Sequence, residues 1–91
     1  MDKYTEKILS NKKIFTVFYT EYCPYSIKAI NLLKNKNLEY KSYIINDMDK
    51  ILSNLNKNKH LTGFKSSHKT KPIIFFDTQF IGGYQELLKF T

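Results

Sequence analysis

In the stretch Ile14-Phe15-Thr16-Val17-Phe18-Tyr19-Thr20-Glu21-Tyr22-Cys23-Pro24-Tyr25-Ser26-Ile27-Lys28-Ala29-Ile30, an apolar β-type run gives way to a helical pattern across a single cysteine. Residues 14–19 are β-branched and aromatic and read as a buried strand. After the cysteine, Ile27, Ile30 and Leu33, with Ala29 alongside, recur at spacings of three and four, which describes an amphipathic helix with its apolar face on a core. Pro24 suits the first turn of that helix, because it has no N–H to leave unsatisfied and its φ is already near the helical value. Cys23 therefore falls at or near the N-cap. There the unpaired N–H groups and the positive dipole end favour a negative charge on sulfur. A free thiol with a pKa of ~8.5 is mostly protonated at neutral pH, and the thiolate is the nucleophile. A lone cysteine in an intracellular protein is often just a small buried hydrophobe. Glu21 and Tyr22 on one side and Tyr25-Ser26 on the other describe a surface turn, so Cys23 reads as a reactive thiol.

Working outward, 91 residues make one small domain, 1–91, with room for a single core. Apolar residues make up 42% of the chain, with seven Phe, seven Tyr and no Trp, which is enough for a globular core and unlike disorder. One cysteine excludes an intramolecular disulfide and a zinc site of the multi-cysteine kind, and it points to a reducing compartment. The first nine residues lack the apolar run of a secretory signal, and no segment approaches ~20 apolar residues. A cytoplasmic protein without membrane partners is the expectation. The net charge of +7 comes from fifteen Lys and no Arg. Nucleic-acid readers draw on Arg for bidentate contacts, so no nucleic-acid partner is expected, and a small anionic partner fits better. Lys57, Lys59, Lys65, Lys69 and Lys71 lie between Asp49 and Asp77 with no acid among them, either a solvated face or the lining of an anion site.

The remaining elements follow in order. Tyr4, Ile8 and Leu9 suggest a short helix ending before Asn11-Lys12-Lys13. The Cys-headed helix stops around Asn35-Lys36-Asn37, and Leu38 through Ile45 reads as a second strand, giving a βαβ unit with a parallel pair. Asn46-Asp47 starts a helix with the stripe Met48, Ile51, Leu52 and Leu55, which frays through 56–59. Residues 61–69 read as loop, with His60 and His68 as solvated histidines. Thr70-Lys71-Pro72 then leads into the strand Ile73-Ile74-Phe75-Phe76, the turn Asp77-Thr78, the short strand Gln79-Phe80-Ile81, the turn Gly82-Gly83 and a closing helix from Tyr84.

Cys23-Pro24-Tyr25-Ser26, Thr70-Lys71-Pro72 and Gly82-Gly83, in this order and at these boundaries, resemble a glutaredoxin over nearly the whole chain. The resemblance implies an α/β protein of thioredoxin-like fold, a four-stranded mixed sheet flanked by helices. It also implies an enzyme that reduces protein–glutathione mixed disulfides, with glutathione as co-substrate and glutathionylated or disulfide-containing proteins as partners. Cys23 would be the nucleophile, with Ser26 donating a hydrogen bond to its sulfur. Glutathione would contact Thr20, Tyr25, Lys71, Pro72, Gly83, Tyr84 and Gln85. In that reading Pro72 is a cis-proline, the Lys71 backbone pairs with the cysteinyl unit, and the N–H groups of Tyr84 and Gln85 meet the γ-glutamyl carboxylate.

Departures from the family pattern qualify the site. Ser26 stands where dithiol members have a second cysteine, which implies a monothiol mechanism. Thr20 stands where many members have a lysine, and Gln85 replaces an acid that often receives the γ-glutamyl ammonium. Lys69, Lys71 or His68 would be the residues to restore positive charge near the glycyl carboxylate. An alternative implied by the family is a dimer in which Cys23 from two chains and two glutathiones hold a [2Fe–2S] cluster; otherwise a monomer is expected. A third reading, an interaction partner with no chemistry, leaves the joint presence of thiol, proline and Gly-Gly unexplained.

Overall fold

Asp2 starts the first helix, α1 (Lys3–Ser10), in a computed structural model that describes residues 1–91. Its carboxylate accepts the Thr5 N–H at 2.9 Å and the Thr5 hydroxyl at 2.9 Å, satisfying a donor that a helix start otherwise leaves bare. A third bond, from Asn58 Nδ2 at 2.8 Å, ties this end to the junction of two later helices. The other elements are β1 (Phe15–Tyr19), α2 (Pro24–Asn35), β2 (Tyr40–Ile44), α3 (Met48–Lys57), α4 (Lys59–Thr62), β3 (Ile73–Phe76), β4 (Gln79–Gly82) and α5 (Tyr84–Phe90). The strands form one mixed sheet in the order β2-β1-β3-β4. β1 runs parallel to β2 and antiparallel to β3, and β3 runs antiparallel to β4. This is the α/β arrangement expected from the sequence.

β1 and β3 are continuous apolar runs because both faces of the central pair are covered. Successive strand side chains point to opposite faces. Phe15, Val17 and Ile74 therefore pack with Ala29 and Leu33 of α2 and Leu87 of α5. Phe18, Ile73 and Phe75 turn the other way, onto Tyr4 and Ile8 of α1, Ile51 and Leu55 of α3, and Phe64. Asn11, buried at the end of α1, donates to the Thr16 hydroxyl at 3.1 Å and to the Tyr43 hydroxyl at 3.2 Å, joining the helix to β1 and β2.

Three expectations need correction. Ile27 is 48% exposed, and the buried side of α2 is Ser26, Ala29 and Leu33 instead. Ile30 sits at the edge of the true face and is partly buried, Ile27 lies about 60° further round toward solvent, and the small residues Ser26 and Ala29 mark where the helix lies close against its neighbours. Residues 59–62 are not frayed or looped but form α4. Its signal was Gly63, whose φ of 72° lets its N–H return to the Lys59 carbonyl at 2.7 Å as a left-handed C-cap. The chain then drops Phe64 into the core, so the connection to β3 is anchored at its start. The last strand runs one residue further than expected, to Gly82, so the expected turn into the closing helix is confined to Gly83, which caps α5.

The cap on α1 carries a pH dependence. Burial pushes the Asp2 carboxyl up, but the Thr5 N–H and hydroxyl and neighbouring N–H groups outweigh it, and the group sits below the ordinary carboxyl value. An acid depressed in the folded state stabilises the fold above its unfolded pKa and loses that contribution as pH falls through the folded one. Asp2→Ala is therefore expected to cost about 1–2 kcal/mol in urea unfolding at neutral pH, and progressively less as acid takes the pH down through the depressed folded pKa and protonates the wild-type cap. A cost that does not shrink in acid would show that the carboxylate charge plays no part.

Candidate active site

Strand register brings three distant segments to one edge. Phe18 pairs with Ile73, so the chain leaving β1 lies beside the chain approaching β3. Ile74 pairs with Gly82, which returns the end of β4 to the same place. As a result the Cys23 sulfur stands 3.7 Å from the Lys71 carbonyl oxygen, a separation within reach of a weak thiol hydrogen bond. The Lys71–Pro72 peptide is cis, as expected.

Cys23 is the N-cap of α2 and Pro24 its first residue. The Cys23 carbonyl accepts the Ile27 N–H at 3.1 Å, which begins the helical ladder, and the side chain makes no capping bond, so the sulfur is left free. Partial burial pushes the thiol up. The Ser26 N–H, the Ser26 hydroxyl, the Tyr25 N–H and the Lys71 charge outweigh it, and the thiol titrates below its ordinary value. Ser26 is fully buried, and its oxygen accepts the Thr20 N–H at 3.5 Å. With its oxygen engaged from below, the hydroxyl has one proton to offer, and the nearby acceptor that gains from it is the sulfur anion.

A groove of about 330 Å³ lies on the other side of Pro72, lined by Tyr25, His68, Thr70, Lys71, Pro72, Gly83, Tyr84, Gln85 and Glu86. A second hollow of about 260 Å³ holds Cys23, Met48, Lys69, Thr70 and Lys71. Lys71 and Thr70 border both. Tyr25 and Tyr84 face each other across the first groove with ring centroids 6.2 Å apart. Six of the expected glutathione contacts, Tyr25, Lys71, Pro72, Gly83, Tyr84 and Gln85, thus share one cavity. Thr20 does not line either hollow. Its backbone instead braces the thiol turn, through the bond to Ser26 and through its carbonyl, which accepts the Cys23 N–H at 3.4 Å.

Three groove residues lie outside the expected contact set: Thr70, which belongs to the Thr70-Lys71-Pro72 segment, and two whose roles the structure adds. Glu86 accepts the Gly83 N–H at 2.7 Å, the half of a capping box that a glycine N-cap allows, at the start of α5. That N–H is the largest influence on the Glu86 carboxyl; against some upward push from burial, it and the His68 and Lys89 charges hold the group below its usual value. The spacing of Gly83 to Glu86 was the available signal. Gly82 has a φ of 140°, and an added Cβ would stand 2.6 Å from Glu86 Cγ, so this glycine is required both by its backbone and by the cap. Gly83 is extended, and a Cβ there would meet only ordinary contacts. His68 is the other. It is not a solvated loop side chain: the ring is half-buried against Phe64 and Phe80, and its Nε2 lies 3.3 Å from the Pro72 carbonyl oxygen. His60 is exposed, as expected.

No group of three or more His, Cys, Asp and Glu side chains converges on a metal-ion site, and Cys23 is the one thiolate this chain could offer to a [2Fe–2S] cluster. No helix is long and apolar enough to cross a membrane.

The family model described as Glutaredoxin matches residues 13–81. A probable glutaredoxin of Acanthamoeba polyphaga mimivirus is 42% identical over 80 residues, spanning 84% of this chain and 76% of that protein. Glutaredoxin-2 of Schizosaccharomyces pombe is 37% identical over 86 residues, spanning 94% and 74%. Among solved structures, glutaredoxin 1 from Francisella tularensis complexed with cacodylate superposes with a TM-score of 0.71 at 28% identity, covering 82% of this chain and 87% of that one.

The sulfur environment makes a direct demand on reactivity. Because the folded protein favours the anion, the thiolate persists to lower pH than in a free cysteine, and the midpoint of alkylation rate against pH is expected below ~8.5. Ser26→Ala removes one donor and should move that midpoint upward while the backbone N–H groups keep it below the free value. A wild-type midpoint at or above that of an unstructured cysteine peptide would remove the case for an activated thiol.

Proposed function

Because this chain belongs to the glutaredoxin family of thiol oxidoreductases, we propose that it reduces protein–glutathione mixed disulfides by a monothiol mechanism through Cys23. The observation that carries the reading is the pairing of a single free thiol at a helix N-cap with a buried serine three residues on, beside a groove walled by Lys71-Pro72 and Gly83-Tyr84. The Cys23 thiolate attacks the glutathionyl sulfur of the mixed disulfide. A Cys23–glutathione disulfide forms, the original S–S bond breaks, and the substrate leaves as a thiolate that takes a proton from water. A second glutathione thiolate then attacks the glutathionyl sulfur of that adduct, giving glutathione disulfide and regenerating the Cys23 thiolate. Ser26 cannot resolve the adduct, since a hydroxyl does not exchange with disulfides, so the second electron pair must come from solution.

The groove supports glutathione as the occupant during this cycle. The exposed backbone at Lys71, ahead of β3, offers an extended edge for the cysteinyl unit in the manner of an added strand. Beyond it, the Glu86 carboxylate satisfies the Gly83 N–H, which leaves the next N–H groups of the first turn, those of Tyr84 and Gln85, without intrahelical partners and open to a carboxylate. Tyr25 and Tyr84 would flank the γ-glutamyl end, and Lys69 and Lys71 border the hollow that holds Cys23, suited to the glycyl carboxylate.

In a glutathione-coupled assay on a glutathionylated substrate, Cys23→Ser is expected to fall to the uncatalysed background, because no other group in the chain can exchange with a disulfide. Ser26→Ala should keep turnover within about tenfold of wild type, the worth of one hydrogen bond to a charged group at most. Appreciable activity in Cys23→Ser would overturn the mechanism, and a dead Ser26→Ala would show that Ser26 does more than stabilise sulfur.

A further inference from the structure

His68 touches each of the two walls between which glutathione is proposed to lie. Its Nε2 is 3.3 Å from the Pro72 carbonyl oxygen at the head of β3. A carbonyl can only accept, so the proton of a neutral ring resides on Nε2 in this arrangement. On the other side, its Cε1 lies 3.4 Å from where a Cβ of Gly83 would be, and the Pro72 oxygen 3.6 Å from the same point. The ring, the Pro72 carbonyl and the Gly83 backbone are thus packed as one unit that spans from β3 to the start of α5. Phe80 and Phe64 hold the ring edge-on, with centroids at 5.3 Å and 6.5 Å and interplanar angles of 72° and 76°. Its own N–H donates to the Lys65 carbonyl at 3.0 Å, which fixes the backbone from which it projects. The Glu86 carboxylate, which caps α5 through Gly83, lines the same groove as the ring.

None of these contacts reaches the sulfur, and none is needed to form the sheet, whose ladder begins at Ile73. What they set is the separation and orientation of the Lys71-Pro72 edge relative to the Gly83 junction. A ligand held at both places senses that separation directly, because a misplacement of one wall costs contacts at the other. We propose that His68 is a positioning residue for glutathione, acting through the Nε2–H bond to the Pro72 carbonyl, an inference that rests on the glutathione reading given above. Its role is to hold the groove at the width of the bound tripeptide, leaving Cys23 reactivity to the turn at Thr20–Ser26.

Two measurements on the full chain test this. Nitrogen-15 NMR of the reduced protein reads the histidine ring, and His68 is expected as the Nε2–H tautomer, with exposed His60 as the internal reference; an Nδ1–H ring at His68 overturns the proposal. The equilibrium of Cys23 with glutathione disulfide, read by mass spectrometry of the adduct, then compares wild type, His68→Gln and His68→Phe. Glutamine keeps an N–H donor at similar reach, whereas phenylalanine keeps the aromatic packing and removes the donor; His68→Leu serves the same purpose if the phenylalanine variant is misfolded. Wild type and His68→Gln are expected to agree within about twofold, and His68→Phe to form the adduct about five- to tenfold less favourably, the scale of one lost hydrogen bond. The pH profile of Cys23 alkylation should be the same in all three. If His68→Phe matches wild type, or if Gln and Phe fall equally, the donor role is wrong while the glutathione reading stands. If the wild-type adduct is no more stable than that of an unstructured cysteine peptide, the glutathione reading fails and takes this inference with it.

Discussion

The pairing of Phe18 with Ile73 holds the end of one doubly buried strand against the start of another, and the geometry of the groove depends on it. A strand covered on both faces cannot slip by one residue, because the slip would exchange its two sets of side chains between cores of different shape. Phe15 and Val17 are committed to the side of α2 and α5, and Phe18 to that of α1 and α3. With the register so held, the sulfur four residues beyond β1 has to meet the carbonyl two residues ahead of β3. The hairpin that follows adds the Gly82-Gly83 junction by the same logic. Its two-residue turn, Asp77 and Thr78 at φ of 49° and 72°, has the left-handed conformation at both positions that matches the twist of the strands.

Around that edge the protein separates the control of charge from the control of shape. In the thiol turn Ser26 and Tyr25 supply the donors to the sulfur and Thr20 braces Ser26, while Lys71, whose backbone lies beside the sulfur, adds a charge. Ser26 places a buried hydroxyl beside the sulfur, and with one cysteine in the chain no internal disulfide competes. The far wall is arranged differently. Glu86 uses its carboxylate to start α5, and Gly82 is needed because any side chain there would collide with that carboxylate's stem. Thr20 and Gln85, which depart from the family pattern, lie on opposite sides of this division: Thr20 contributes through its backbone to the thiol turn, and Gln85 lines the groove without a charge.

Much of this was legible from local pattern, and what was not has identifiable causes. The apolar run 14–19, the Cys-Pro junction and the stripe at Ile51 and Leu55 needed only periodicity and the chemistry of proline, since each feature is satisfied within a few residues. The phase of α2 was misread because the stripe was centred on Ile27 and Ile30, to one side of the true face, and only contact with the sheet and α5 selects the side with Ser26, Ala29 and Leu33. α4 hid in a polar composition whose single clue was Gly63. His68 was the clearest miss: in a stretch of Ser, Lys and Thr nothing marks a half-buried ring, and its partners Phe80 and Pro72 come to it only when β3 and β4 are paired.

Order along the chain was therefore sufficient for the succession of helices and strands and for a cysteine at the head of α2, because helix caps, proline geometry and strand alternation are properties of neighbours in sequence; the four-stranded mixed sheet and the grouping of three segments came from the family resemblance. Whether those segments meet is a different kind of fact. The contact of Cys23 with Lys71, the shared groove of Tyr25 and Tyr84, and the lodging of His68 between two walls all join residues far apart in the chain. They were decided by side-chain burial on both faces of the central strands, since that burial alone sets the register on which every one of these distances depends.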